Sequence, residues 1–319
     1  MERERVQAAL AGPIASIRTP FAADGSVDYA SLGRIVEFDI AAGASALLIT
    51  WGDSLFAVLS DAEIATLTQA VVEAAAGRVA VVASTNRWAT PQAVEFGVYC
   101  REIGADMVQV FLPQWYAGCL SRQTIVDHYL AIAQCVPAMA NSAEFQRNGA
   151  AEGLAIAREL IERAAPVLAM KADVTGGYDA AMTTLVRDHW TLFAGGQKAF
   201  HLELWPYGCR GYLSTFVTFM PEVTRAYWQA IGADDRQLAS RIIEQIDRPF
   251  FDEILAMPGG FDAALHGITE RCGLTGRWRR APFTSLDDAA VEQLADTLDR
   301  LQAAMGQLRA AEDYARLKP

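Results

Sequence analysis

Cysteine and histidine are scarce and scattered in this chain, and their scarcity excludes several chemistries. The five cysteines (Cys100, Cys119, Cys135, Cys209 and Cys272) are odd in number and far apart, with no Cys-x-x-Cys pair. Neither a disulfide framework nor a cysteine zinc module is therefore expected. The four histidines (His128, His189, His201 and His266) are isolated. His201-Leu202-Glu203 sets two donors two residues apart, which on a helix turns them to different sides. No metal and no cofactor is expected. No stretch reaches the roughly 18–20 consecutive apolar residues of a membrane span. Met1–Leu10, charged at Glu2, Arg3, Glu4 and Arg5, lacks the apolar run of a secretory signal. A soluble protein of the reducing cytoplasm is the expectation. Basic charge is also in deficit: 27 Lys and Arg against 38 Asp and Glu give a net charge of −11, and the cations form no stripe. That argues against a nucleic-acid partner, although a few cations inside a pocket can still attract an anionic substrate. G-x-G-x-x-G, P-loop, tandem repeat and low-complexity segment are all missing.

What is present is alternation. Short apolar runs recur every 20 to 35 residues: Ile14–Ile17, Ala46–Thr50, Val79–Ser84, Met107–Phe111, Pro137–Asn141, Val167–Lys171, Thr191–Gly195 and Gly211–Ser214. Between them lie segments of helical periodicity at Tyr29–Ala42, Asp61–Ala75, Thr90–Ile103, Arg122–Cys135, Gly149–Ala164, Tyr178–Asp188 and Ala199–Tyr207. Strands that read as nearly continuous apolar runs suit a parallel sheet covered on both faces. Eight such units predict an α/β fold of the (β/α)8 TIM-barrel class over residues 1–218. A doubly wound sheet is the alternative, weakened by the missing glycine fingerprint. From 219 to 319 the pattern is helical alone (Glu222–Ile231, Asp235–Ile246, Pro249–Met257, Gly260–Cys272 and Leu286–Ala311), which predicts a C-terminal helical appendage.

Barrel chemistry sits at the C-terminal ends of strands. The run Val167-Leu168-Ala169-Met170 is apolar and ends in Lys171, an amine where burial favours the neutral, nucleophilic form. A strand-end lysine reaching out to solvent is the plainer alternative. Thr50 leads into Trp51-Gly52-Asp53-Ser54, Ser84 into Thr85-Asn86-Arg87, and Asn141-Ser142 closes the fifth run. Gly195-Gly196 follows the seventh, where absent side chains allow close approach of a ligand. Arg87 is suited to clamp a carboxylate in two-point fashion or to lie in a surface loop. Trp51, Trp88 and Trp115 fall in loops on one predicted face, lining a pocket or packing against outer helices.

The strand ends carry a resemblance. Ile17-Arg18-Thr19-Pro20-Phe21, Asp24-Gly25-Ser26-Val27-Asp28, Thr50-Trp51-Gly52-Asp53-Ser54, Leu59-Ser60-Asp61-Ala62-Glu63 and Met170-Lys171-Ala172-Asp173-Val174-Thr175-Gly176 follow in order. With Gly208–Ser214 and Gly273–Pro282 they resemble the dihydrodipicolinate synthase/N-acetylneuraminate lyase family from about residue 14 to 305. The resemblance implies a lyase, usually a homotetramer, whose lysine condenses with the ketone of pyruvate or a longer 2-keto acid. Carried over, Lys171 is the nucleophile and Thr50, Trp51, Gly52, Asp53 and Ser54 form the loop that holds the keto-acid carboxylate. Arg87, Trp115, Asn141, Ser142, Gly195 and Leu213 complete the expected substrate site.

The chain also departs from that pattern. Trp51 replaces the second hydroxyl of the carboxylate loop, Asp53 stands where glutamate is usual, and Gln114-Trp115 replaces paired tyrosines. The fifth strand, Val136 to Glu144, holds no tyrosine to move protons. Asp53 is then the expected proton carrier, with Asp173 read as pointing away from the barrel axis. A Schiff-base lyase of the aldolase or dehydratase type, acting on a 2-keto acid, is the leading expectation. A barrel that binds keto or sugar acids without turnover is the alternative.

Overall fold

A computed structural model describes residues 2–113 and 120–316. Eight parallel strands close into a barrel in chain order: β1 (Pro13–Ile17), β2 (Ala46–Ile49), β3 (Ala80–Ser84), β4 (Met107–Gln109), β5 (Ala138–Asn141), β6 (Val167–Ala172), β7 (Thr191–Ala194) and β8 (Gly211–Leu213). Helices α1 (Glu2–Ala9), α2 (Tyr29–Ala42), α3 (Asp61–Ala75), α4 (Thr90–Ile103), α5 (Arg122–Ala133), α6 (Ser142–Gln146), α7 (Ala150–Glu162), α8 (Gly177–Val186) and α9 (Lys198–Leu204) precede or separate the strands. The chain is therefore a (β/α)8 TIM barrel. Its helical C-terminal segment holds α10 (Pro221–Gly232), α11 (Arg236–Ile242), α12 (Arg248–Leu255), α13 (Gly260–Arg271) and α14 (Asp288–Arg316). Contacts group the described residues within Met1–Arg18 and Val36–Thr215 into one unit, and those within Thr19–Ile35 and Phe216–Pro319 into another.

Nearly every strand residue of the first unit is buried, as a sheet covered on both faces requires. The single exception among the eight strands is Lys171, which is half-buried. The lower barrel is filled by Ile14, Ala46, Leu48, Ala80, Val82, Met107, Met139, Leu168, Phe193 and Leu213, large beside small, in one apolar cluster. Helix α1, whose first residues are charged, joins this cluster through Val6 and through Leu10 just beyond it. Gln7 fixes it, donating from Nε2 to the carbonyls of Leu168 (3.1 Å) and His189 (3.2 Å). Gly211 has no room for a side chain here: a Cβ would lie 2.2 Å from the Leu10 carbonyl oxygen and 2.7 Å from that of Gly12.

The second unit has its own core. Phe216, Phe219, Phe250, Phe251 and Phe261 form a chain of ring contacts at centroid separations of 4.7 to 5.8 Å. Arg280 donates from Nε to the Gly25 carbonyl (2.8 Å) and lies over Phe21, fixing the turn that pairs Phe21 with Val27. Among the described residues no helix is long and apolar enough to cross a membrane.

Candidate functional site

Thr50, Trp51, Gly52, Asp53, Arg87, Asn141 and Lys171 converge on one cavity of about 230 Å³ at the C-terminal ends of β2, β3, β5 and β6. Phe111, Ala143, Glu144, Arg147 and Asp173 complete its lining. Each expected residue arrives by strand geometry. Lys171 is the fifth residue of β6 and pairs with Asn141 of β5 and Phe193 of β7. Thr50 directly follows β2, and Arg87 lies three residues beyond β3.

The loop after β2 is a tight turn built on its own hydrogen bonds. Thr50 N–H donates to Ser54 Oγ (3.1 Å), Ser54 N–H to the Thr50 carbonyl (3.0 Å), and the Ser54 hydroxyl to the Ile17 carbonyl (2.5 Å). Ser54 is fully buried by these bonds and shapes the loop from beneath. Trp51 is oriented by its indole N–H, which donates to Asn86 Oδ1 (2.9 Å). Asp53 accepts from the Ser16 hydroxyl and has Arg18 at 3.9 Å.

Opposite, Arg87 lies over the faces of Trp51 (4.8 Å) and Phe111 (5.2 Å), a cation–π arrangement. Its Nη1 donates to the Leu112 carbonyl (3.0 Å) and to Glu144 (3.3 Å). Burial pulls the Arg87 pKa down, and the Glu144 charge opposes that shift. Glu144 is 2% exposed and would be costly to bury alone. It is held by two guanidiniums, Arg87 and Arg147 (3.0 Å), and by the Leu112 N–H (3.0 Å). The trio keeps one net positive charge on this wall.

Lys171 faces Asp173. Its Nζ is 2.8 Å from both carboxylate oxygens, and the side chains are 13% and 22% exposed. The expectation that Asp173 points away from the axis is thereby corrected. Strand β6 continues through Ala172, and alternate residues of a strand share a face, so Asp173 falls on the side of Lys171. Asn141 Nδ2 donates to Asp173 Oδ2 (2.6 Å). Ser142, read as the end of the fifth strand, opens α6 and is fully buried. It accepts from the Asp173 N–H (2.9 Å) and donates to Asp179 (3.0 Å).

Gly195 lines this region by what it lacks: a Cβ there would lie 2.0 Å from Asp173 Oδ1 and 2.9 Å from Lys171 Nζ. Leu213 belongs to the apolar cluster of the lower barrel. Trp88 stays on the outside, its indole donating to Asp61 (3.1 Å) and its ring packed edge-on against Phe96. Trp115 lies outside the described residues. Sequence reading missed Glu144 and Arg147, whose only signal is a charged i, i+3 pair directly after an apolar strand.

Asp179, also missed, supports the loop after β6 by accepting from Val174 N–H (2.7 Å) and Ser142. Burial, helped by the nearby Asp173 charge, raises its carboxyl from the usual 3.8 to about 7. A carboxyl raised in the fold contributes stability that is complete below pH 3.8 and is lost as pH climbs through about 7. Wild type is therefore expected to lose a few kcal/mol at most relative to Asp179→Asn between pH 4 and 7.5, at about 1.4 kcal/mol per unit. Melting temperatures of the two proteins across that range check this; parallel curves contradict it.

Comparison with known proteins follows the same lines. The sequence profile of the dihydrodipicolinate synthetase family matches residues 9–301. A 4-hydroxy-tetrahydrodipicolinate synthase of Sorangium cellulosum is 29% identical over 305 residues, 93% of this chain and 98% of that protein. The structure of dihydrodipicolinate synthase from Oceanobacillus iheyensis aligns with a TM-score of 0.81 at 19% identity, over 95% of this chain and 100% of that one. N-acetylneuraminate lyase from Fusobacterium nucleatum gives 0.79 at 19% identity, over 92% and 99%. At such identity the structural likeness speaks for the fold.

Proposed function

The chain belongs to the dihydrodipicolinate synthetase family of class I aldolase-type lyases, and from that premise we propose that it acts on a 2-keto acid by forming a Schiff base through Lys171. The observation that carries the reading is the exceptional place of Lys171. It alone among the strand residues escapes full burial, at the C-terminal end of a barrel strand and on the wall of a polar cavity. An amine there can be reached by a substrate that enters the cavity.

The chemistry follows from the amine. Its lone pair attacks the C2 ketone, and loss of water leaves an iminium that draws electrons from the neighbouring carbons. A bond to C3, or from C4 to a leaving group, then breaks or forms through the enamine. The substrate carboxylate is assigned to the loop Thr50–Asp53 and the Arg87 wall. Three cations (Arg87, Arg147 and Lys171) offset three anions (Asp53, Glu144 and Asp173) around the cavity, so an entering carboxylate meets no net repulsion. Arg87 stands on that wall together with Arg147. The Trp51 ring next to it offers an apolar face that suits a 2-keto acid bulkier than pyruvate.

Sodium borohydride added in the presence of pyruvate or a larger 2-keto acid is expected to fix the ligand on the protein, since an imine is reduced to a stable amine. Intact mass and peptide mapping should place the adduct on Lys171. A folded protein unmodified at Lys171 across a broad set of 2-keto acids overturns the reading.

A further inference from the structure

A Schiff-base enzyme must move protons at the reacting carbon as well as supply an amine. The cavity offers few groups for that task. Asp53 is engaged by Ser16 and Arg18, and Glu144 is locked between two arginines and a backbone N–H. No histidine lines the cavity among the described residues. No tyrosine lines the cavity among the described residues, and Tyr129 and Tyr178 donate elsewhere, to the Val110 carbonyl (3.1 Å) and the Ser142 carbonyl (3.4 Å). Asp173 is the cavity carboxylate that touches the amine, at 2.8 Å.

Three features built by different elements hold it there. Asn141, at the end of β5, donates to Oδ2 (2.6 Å). Ser142 and Asp179 pin the backbone that carries it. Gly195, after β7, leaves open the space its Oδ1 occupies. Its partial exposure lets it exchange protons with water. An ion pair needed only to neutralise a strand-end lysine requires none of this support from separate elements.

We propose that Asp173 is the catalytic acid–base group of the imine-forming steps, with Asn141 as its positioning residue. The proposal rests on the Schiff-base reading above. The Asp173 carboxylate takes a proton from the Lys171 ammonium, leaving a neutral amine. The amine nitrogen bonds to C2 as the carbonyl π pair moves to oxygen. Asp173 delivers its proton to that oxygen and removes one from the nitrogen, giving the neutral carbinolamine. It then protonates the hydroxyl, which leaves as water while the nitrogen lone pair closes the iminium. Overall, ammonium and ketone become iminium and water, and Asp173 ends as it began, a carboxylate beside a cation. Two residues from Lys171 on the same strand face, the group stays within reach of nitrogen and oxygen through the sequence.

Wild type and the variants Asp173→Asn, Asp173→Glu and Asn141→Ala are mixed with pyruvate and quenched with borohydride at successive times from pH 5 to 9. Adduct at Lys171 is read by intact mass. Asp173→Asn is expected to slow trapping by about 10²–10⁴-fold, the usual range for a positioned acid–base group. Partial recovery is expected in Asp173→Glu, and a smaller loss in Asn141→Ala. If Asp173 merely neutralises Lys171, its removal frees the amine and trapping at neutral pH is as fast or faster. That sign overturns the proposal while leaving the Schiff base intact. Wild type that traps none of a broad set of 2-keto acids overturns both, and circular dichroism excludes misfolding as the cause of a slow variant.

Discussion

Lys171→Met is expected to fold like the wild type and to lose both borohydride trapping and turnover, the latter by at least about 10³-fold, the scale on which deletion of a covalent nucleophile acts. Methionine keeps the length and apolar stem of lysine and removes only the amine. The stem can occupy the same space beside Gly195, where the Lys171 side chain leaves no room for another Cβ. The Asp173 carboxylate loses its cation but keeps the Asn141 donor and its access to water. Removing one half of such a partly exposed pair costs about 1 kcal/mol or less, far from the several that an isolated buried charge would cost. Activity and stability therefore separate. A melting temperature within a few degrees of wild type, with no adduct on any lysine, is the expected pair of results. Substantial remaining turnover on a 2-keto acid contradicts chemistry through an imine at residue 171.

The barrel was legible because a fully covered parallel strand must be apolar on both faces, and such a run stands out from the amphipathic helices beside it. Boundaries were sharpest where a local signal exists. Helix α3 begins after Ser60, whose side chain accepts from the Glu63 N–H while Glu63 reaches back to the Ser60 N–H. Helix α4 has proline in its first turn. Where no such signal exists, the reading overshot. Val110 and Phe111 are as buried and apolar as strand residues, and Val110 still donates to the Met139 carbonyl, yet β4 ends at Gln109. Helix α1 stayed hidden because four of its first residues are charged, and Val6 and Leu10 become core only when the barrel closes over them.

The site was legible in part for a related reason. Strand ends are fixed by the fold, so position alone brings Thr50, Arg87, Asn141 and Lys171 to the wall of one cavity. Their partners come from residues distant in sequence. Arg87 meets Glu144 57 positions away, and Ser54 is buried by a carbonyl 37 positions earlier. No local pattern announces such pairs. Asp173 is a different case, since strand alternation sufficed to place it beside Lys171 once β6 was seen to extend through Ala172.

Gly195→Ala tests how far the chemistry depends on that placement, and it is expected to cost roughly 10²-fold in the rate of imine formation with little loss of stability. The added Cβ would lie 2.0 Å from Asp173 Oδ1, 2.6 Å from Lys171 Cε and 2.9 Å from Nζ. Ordinary contact needs at least about 1.4 Å more than the closest of these, so both side chains must shift, and a displacement of only about 1 Å in a reacting group can cost on the order of 10²-fold. The atoms in the way are ends of flexible side chains, and the backbone of Gly195 keeps its N–H bond to the Ala172 carbonyl (2.8 Å). The fold can therefore give way where the chemistry cannot. Gly211→Ala is the contrasting control. Its Cβ would meet the backbone of Leu10 and Gly12, which cannot move aside without displacing α1 from the barrel floor. That variant should melt several degrees lower with imine formation in the remaining folded protein unchanged. Melting temperature and trapping rate measured together on both variants distinguish the two effects. Equal trapping by Gly195→Ala and wild type would mean that the close approach of Asp173 to Lys171 is dispensable.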